Sequence, residues 1–118
     1  MEKKDNPILK LTFEFSVQVV LYCEILEEKR KYVISNQLLK SGTSIGANCR
    51  EAQNAESKAD FIHKIKIALK ELEEAEYWLD ICKVMESYPN CDHLIIQLSA
   101  IRKILTKILA TSKINQKK

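Results

Sequence analysis

The sequence predicts an all-α fold, an antiparallel up-down-up-down four-helix bundle forming one domain over residues 1–118. Three observations predict it. The chain contains only two glycines and two prolines, too few turn residues for an all-β domain. Apolar residues recur at alternating spacings of four and three, the repeat of a helix with one buried stripe. The breaks between these stretches are short, so consecutive helices must run antiparallel. Hydrophobic content of 46% and charged content of 30% suit one core in a chain of this length.

The first helix is expected over about 7–29. Asn6 is a good N-cap and Pro7 fits the first helical position. Phe15, Val19, Tyr22 and Leu26 draw its stripe, and Phe13, Val17 and Val20 are expected to widen it. The second is expected over about 32–54, with Ile34, Leu38, Ser41, Ile45, Asn48 and Ala52 on its seam. The third, over about 58–87, opens on Ser57 with Asp60 three residues later, a capping-box pattern with Asp in place of Glu. Phe61, Ile65, Ala68, Leu72, Ala75, Leu79 and Cys82 form its seam, and Pro89 prevents continuation. The fourth, over about 92–112, carries Leu94, Leu98, Ile101, Leu105 and Ile108. Ser112 interrupts that stripe, so "SKINQKK" is expected to fray.

The second helix is unusual at its centre. Ser41, Gly42, Thr43, Ser44 and Gly46 each weaken a helix by roughly 0.3–1 kcal/mol relative to Ala. Gly42 and Gly46 are four apart and share a face, which permits a close backbone crossing. The Walker phosphate loop does not fit, because "KSG" reverses its order and lies inside a helical pattern. Asn48 on the seam and Glu51 one turn on are expected to set helix register or bridge subunits. Gly42, Ser44, Gly46, Asn48 and Glu51 thus form a structural motif.

The motif lies within a longer resemblance. "QLLKSGTSIGANCREA" followed by "SKADFIHKIKIALKELEEAEYWLDI" resembles the four-helix bundle protein family, which includes proteins encoded in intervening sequences of bacterial 23S rRNA genes. The resemblance spans nearly the whole chain. It implies an antiparallel four-helix bundle, a ring-like homopentamer and no enzymatic activity. Related accessory proteins of diversity-generating retroelements imply nucleic acid or a protein as partner.

The formal charge of +3 conceals an asymmetry. Residues 57–92 carry five basic and eight acidic groups, whereas 93–118 carry six basic groups and no acid. Arg102, Lys103, Lys107, Lys113, Lys117 and Lys118 are therefore the candidate contacts to RNA or DNA. Their charge would attract phosphate backbones without reading sequence. A second reading is a protein-binding scaffold. Ile67, Trp78 and Ile81 lie off the third seam and are the candidate oligomer contacts, since Trp is enriched at interfaces.

Catalytic and metal chemistry are poorly served. A ferritin-like site needs two Glu-x-x-His pairs and two further inward glutamates. The chain offers one Asp60-x-x-His63, and His93 has no acid three residues before it. Glu71, Glu73, Glu74 and Glu76 miss the seam. Cys23, Cys49, Cys82 and Cys91 show no metal-ligand spacing, and are expected to be buried reduced thiols. No catalytic residue, metal or cofactor is assigned. No apolar run is long enough to span a bilayer, and "MEKKDNP" does not read as a signal peptide, so the expected location is cytoplasmic.

Overall fold

The computed structural model describes residues 6–117, with the side chain of Lys117 outside the description. Four helices follow in order, α1 (Pro7–Glu28), α2 (Tyr32–Ala52), α3 (Lys58–Val84) and α4 (Asp92–Lys117). Each packs on its sequence neighbours, and α4 closes back on α1, giving an antiparallel bundle with α1 and α3 on one diagonal. The molecule measures 51 × 24 × 20 Å.

Helix starts follow the capping chemistry. The Asn6 side chain accepts from the Ile8 N–H at 3.1 Å, and Pro7 follows. Ser57 accepts from the Asp60 N–H at 3.0 Å. Asp60 answers one residue further out than a capping box would, accepting from the Glu56 N–H at 3.1 Å. At the end of α1, Arg30 takes φ 61°. Its N–H reaches the Glu27 carbonyl and that of Lys31 the Leu26 carbonyl, at 2.9 and 2.8 Å. This is a Schellman closure with arginine where glycine is usual.

The seams are buried. Phe15, Val19, Leu26, Leu38, Ile45, Leu72, Leu79, Leu94, Ile101 and Leu105 form the centre of the core. Several boundaries differ from expectation. α2 stops at Ala52 because Gln53 and Asn54 turn onto Arg50 and Glu51 through i→i−3 bonds. α3 stops at Val84, since Met85 is extended. α4 does not fray at Ser112 but stays helical to Lys117. There the start of α3 supports it, Lys58 and Phe61 lining one hollow with Ser112 and Asn115.

Three seam assignments also change. Ile62 is buried at the start of α3 and Phe61 only half-buried. Asn48 is half-buried and donates to the Ser44 carbonyl at 2.8 Å, so it satisfies its own helix. Phe13, Val17 and Val20 do not widen the core stripe; they are 54%, 40% and 39% exposed. A stripe about 100° wide already fills the space between α2 and α4, and these three residues point beyond it.

The small residues of α2 face α1. A Cβ on Gly42 would lie 3.0 Å from both γ carbons of Val19, and one on Gly46 would lie 3.2 Å from Thr12 Oγ1 and 3.3 Å from its carbonyl. The hydroxyls nearby cost little, because each donates to its own helix. Thr12 bonds Ile8 at 2.7 Å, Ser41 bonds Gln37 at 3.0 Å, Thr43 bonds Leu39 at 2.7 Å and Ser44 bonds Lys40 at 2.6 Å. With donors satisfied, the facing surfaces behave as small apolar ones. A polar exchange crosses the interface. Ser35 Oγ donates to the Cys23 carbonyl at 3.2 Å, and Cys23 Sγ to the Ser35 carbonyl at 3.4 Å.

Candidate nucleic-acid interface

The antiparallel register decides which charges meet. Arg102 of α4 lies opposite Glu73 and Glu76 of α3, donating to both, at 2.7 Å in the case of Glu76. From that level towards the end of α4, α3 runs back through Lys70, Lys66 and Lys58. The first half of α3 therefore lies beside the second half of α4. Lys66, Lys70, Lys103, Lys107 and Lys113 are all exposed. None forms an ion pair among the described residues. Lys66 and Lys70 share a face of α3, as Lys103 and Lys107 do on α4. Two rows of cations thus line neighbouring helices.

The bundle converts a sequence asymmetry into a lengthwise one. The helix halves at one end, residues 7–17, 42–70 and 103–117, hold ten basic and four acidic groups. The halves at the other end, 18–41 and 71–102, hold six basic and ten acidic groups. One end is strongly positive and the other negative, across a molecule 51 Å long.

The candidate residues separate on this frame. Lys103, Lys107 and Lys113 are exposed at the basic end. Arg102 is half-buried and held by two carboxylates, so its charge is balanced at the α3–α4 surface. Hydrogen bonding to Glu73 raises the Arg102 pKa, and the same bond holds the Glu73 carboxyl below its usual range. The side chain of Lys117 and all of Lys118 lie outside the described residues. Lys58, Lys66 and Lys70 join the basic end without having been singled out from sequence. Their signal was present, a lysine pair four apart identical to Lys103 and Lys107. Taking residues 57–92 as one block hides it, because the positive stretch 57–70 is averaged with the more negative stretch 71–92.

The other candidates lie elsewhere on the bundle. Ile67, Trp78 and Ile81 are half-buried. Trp78 packs on the core and meets Tyr77 edge-on at 5.3 Å. Its Nε1 is buried without an acceptor among the described residues. Glu51 pairs with Lys64 of α3 at 3.0 Å, fixing the α2–α3 register from an exposed position. Gly42 and Gly46 are buried against α1, whereas Ser44 is half-buried.

The thiols and the buried phenol are poor reagents. All four cysteines are free and buried. Burial pushes Cys49 up to about 12 and Cys82 up to about 11, and raises Cys23 and Cys91. Thiols in that range stay protonated and lack the thiolate that nucleophilic and metal-binding cysteines require. Tyr22 donates to the Pro89 carbonyl at 2.7 Å, and burial raises its pKa well above the usual phenol value. Among the described residues, no three His, Cys, Asp or Glu are grouped to hold a metal ion. Nor is any helix long and apolar enough to cross a membrane. The surface grooves are shallow. The α1–α4 groove is lined by Phe13, Glu14, Val17, Gln18, His93 and Gln97, and the α1–α2 groove includes Thr43, Gly46 and Arg50.

Comparison with known proteins gives a family and no activity. No curated protein matches. A crystal structure from Bacteroides thetaiotaomicron, described as a protein of unknown function from the S23 ribosomal protein family, is 42% identical. The likeness covers 86% of this chain and 97% of that one, with a TM-score of 0.81. The model of the 23S rRNA-intervening sequence protein family matches residues 4–107. This chain belongs to the 23S rRNA-intervening sequence protein family.

Proposed function

We propose that this protein is a non-catalytic, self-associating helical module that binds the phosphate backbone of RNA or DNA through its basic end. The observation that carries the reading is the double row of unpaired lysines, Lys66 and Lys70 on α3 beside Lys103 and Lys107 on α4. Phosphate contacts of this kind supply affinity and position but no sequence information. Of the exposed aromatic residues, Tyr77 follows Lys66 and Lys70 on the same face of α3 but at the acidic end, Phe13 lies under Arg50, and Tyr32 is at the start of α2. Binding therefore acts on the backbone rather than by stacking bases. The acidic opposite end orients the module, since a polyanion is attracted to one end and repelled from the other.

Self-association multiplies the field. Copies arranged with like ends together gather their lysines on one rim, which suits a long polyanion better than a single patch does. The family resemblance, which implies a ring of five, supports this part.

The test is a titration of a labelled RNA duplex, and of DNA of the same length, at 50 and 200 mM salt. About five phosphate contacts per subunit would cost roughly 10²–10³-fold in affinity across that range. Scrambling the sequence should leave affinity unchanged. Absence of binding at the lower salt, or affinity indifferent to salt, would overturn the reading and favour a scaffold for a protein partner.

A further inference from the structure

The half-buried side-chain amides of Asn6, Asn48 and Gln53 are all hydrogen-bonded. Asn48 donates to the Ser44 carbonyl at 2.8 Å. Gln53 donates to the Cys49 carbonyl and accepts from Asn6, both at 3.3 Å. Gln97 of α4 differs. Its Oε1 is buried and accepts no hydrogen bond among the described residues. A buried acceptor without a donor destabilises a fold and calls for an explanation.

Gln97 lines a groove of about 430 Å³ between α1 and α4, together with Phe13, Glu14, Val17, Gln18 and His93. Tyr22 sets the level of the two helices there. It donates to the Pro89 carbonyl at 2.7 Å and meets the His93 ring edge-on at 6.4 Å. From that level the antiparallel helices run past Gln18 and then Glu14 on α1, and past Gln97 on α4. Glu14 and Gln18 are one turn apart on α1, as His93 and Gln97 are on α4, so each pair shares a face.

The groove gathers acceptors. Glu14 is exposed and forms no ion pair among the described residues. Gln18 and Gln97 each carry an amide oxygen, and that of Gln97 can turn outwards without losing a hydrogen bond. Phe13 and Val17, 54% and 40% exposed, give the groove an apolar wall. His93 and Gln97 belong to the half of the bundle with six basic and ten acidic groups, whose field attracts cations. A guanidinium on an alkyl stem answers all of these features. Its stem covers the apolar wall and its planar head offers several N–H donors to fixed acceptors. A compact, strongly hydrated ammonium answers them less well.

We infer that the α1–α4 groove binds a guanidinium group, the Glu14 carboxylate pairing its charge and the Gln97 and Gln18 amide oxygens accepting from its remaining N–H groups. The site is separate from the lysine rows on α3 and α4 and does not rest on nucleic-acid binding.

The test is a ligand-observed NMR titration of the full chain with Nα-acetyl-arginine amide, its lysine counterpart and a short glycine-flanked arginine peptide. The arginine compound should bind, and the lysine compound should not displace it. Glu14→Gln should weaken binding roughly tenfold or more, the loss of a charge-assisted hydrogen bond. Gln97→Leu should abolish most of the binding and raise the Tm, because it removes the buried acceptor. Gln97→Glu keeps an acceptor and adds a charge, so it should bind the arginine compound more tightly than wild type, a gain that misfolding cannot imitate. Tighter binding of the peptide assigns the guanidinium to a partner chain, and equal binding assigns it to a free small molecule; either upholds the site. No binding of the arginine compound at tens of millimolar, or displacement by lysine as effective as by arginine, would overturn it. Weaker binding in Gln97→Glu, or unchanged binding in Gln97→Leu, would overturn the role given to Gln97.

Discussion

The α1–α2 and α3–α4 pairs solve the same packing problem by different means. Between α1 and α2, glycines and self-bonded hydroxyls let two backbones approach until a single Cβ would touch Val19 or Thr12. Between α3 and α4, larger apolar residues set the distance, an exposed ion-pair cluster fixes the level, and unpaired lysines face outwards. The first pair is intolerant of volume and indifferent to charge. The second tolerates volume at its surface, and the function proposed for it depends on charge. The difference places the close backbone packing in one half of the molecule and the exposed cations of the proposed ligand surface in the other.

The comparison breaks most visibly at Gly42. Gly42→Leu should destabilise the fold by about 3 kcal/mol through overpacking against Val19, seen as a fall in Tm of roughly 10 °C or more. Gly42→Ala sharpens the point. Its gain in helix propensity, about 1 kcal/mol, offsets much of the crowding by one methyl, so its melt should move far less. An unchanged Tm for Gly42→Leu would remove the close crossing from the account.

Charge on the other pair should behave in the opposite way. Replacing Lys66, Lys70, Lys103 and Lys107 with Gln should leave the melt within about 0.5 kcal/mol of wild type. The same variant should lose roughly 10²-fold or more in affinity for a nucleic-acid duplex at low salt, with a shallower salt slope. A titration of a labelled duplex reads both quantities.

Arg102→Met should cost about 0.5–1 kcal/mol, because its ion pairs are largely solvated. It should also change the acid limb of stability. Glu73 is held below its usual pKa by Arg102. Its contribution is therefore complete above the unfolded carboxylate pKa and is lost as pH falls through the lowered folded value. Denaturant melts between pH 6 and pH 3 should show a steeper acid loss in wild type than in the variant. The remaining change is a gain. Arg30 occupies the left-handed position of the α1 closure, and Arg30→Gly should stabilise by about 0.5–1 kcal/mol in a chemical melt.

Much of the fold was legible in the sequence because its signals are local. Asn6-Pro7, Ser57 with Asp60, and Pro89 mark helix ends through capping and sterics, and the four-three rhythm marks the buried seams. What was not legible depends on which helix lies beside which. The exposure of Phe13, Val17 and Val20 follows from the width of the space between α2 and α4, which one helix's periodicity does not contain. The pairing of Arg102 follows from the register that sets it against Glu73 and Glu76. The contribution of Lys66 and Lys70 follows from antiparallel pairing, which carries the first half of α3 to the second half of α4. The candidate site was thus half visible, in α4 alone, and the fold supplied its other row.

The central claim is that position, not net charge, makes the basic end a ligand surface. Two variants of equal net charge test it. One replaces Lys66, Lys70, Lys103 and Lys107 with Gln. The other replaces Lys29, Lys31, Lys40 and Lys83, which lie in the opposite half. Binding of one labelled RNA duplex to both, at a single low salt concentration, should be lost in the first and stay within a few-fold of wild type in the second. Equal losses in the two variants, or a greater loss in the second, would contradict the account.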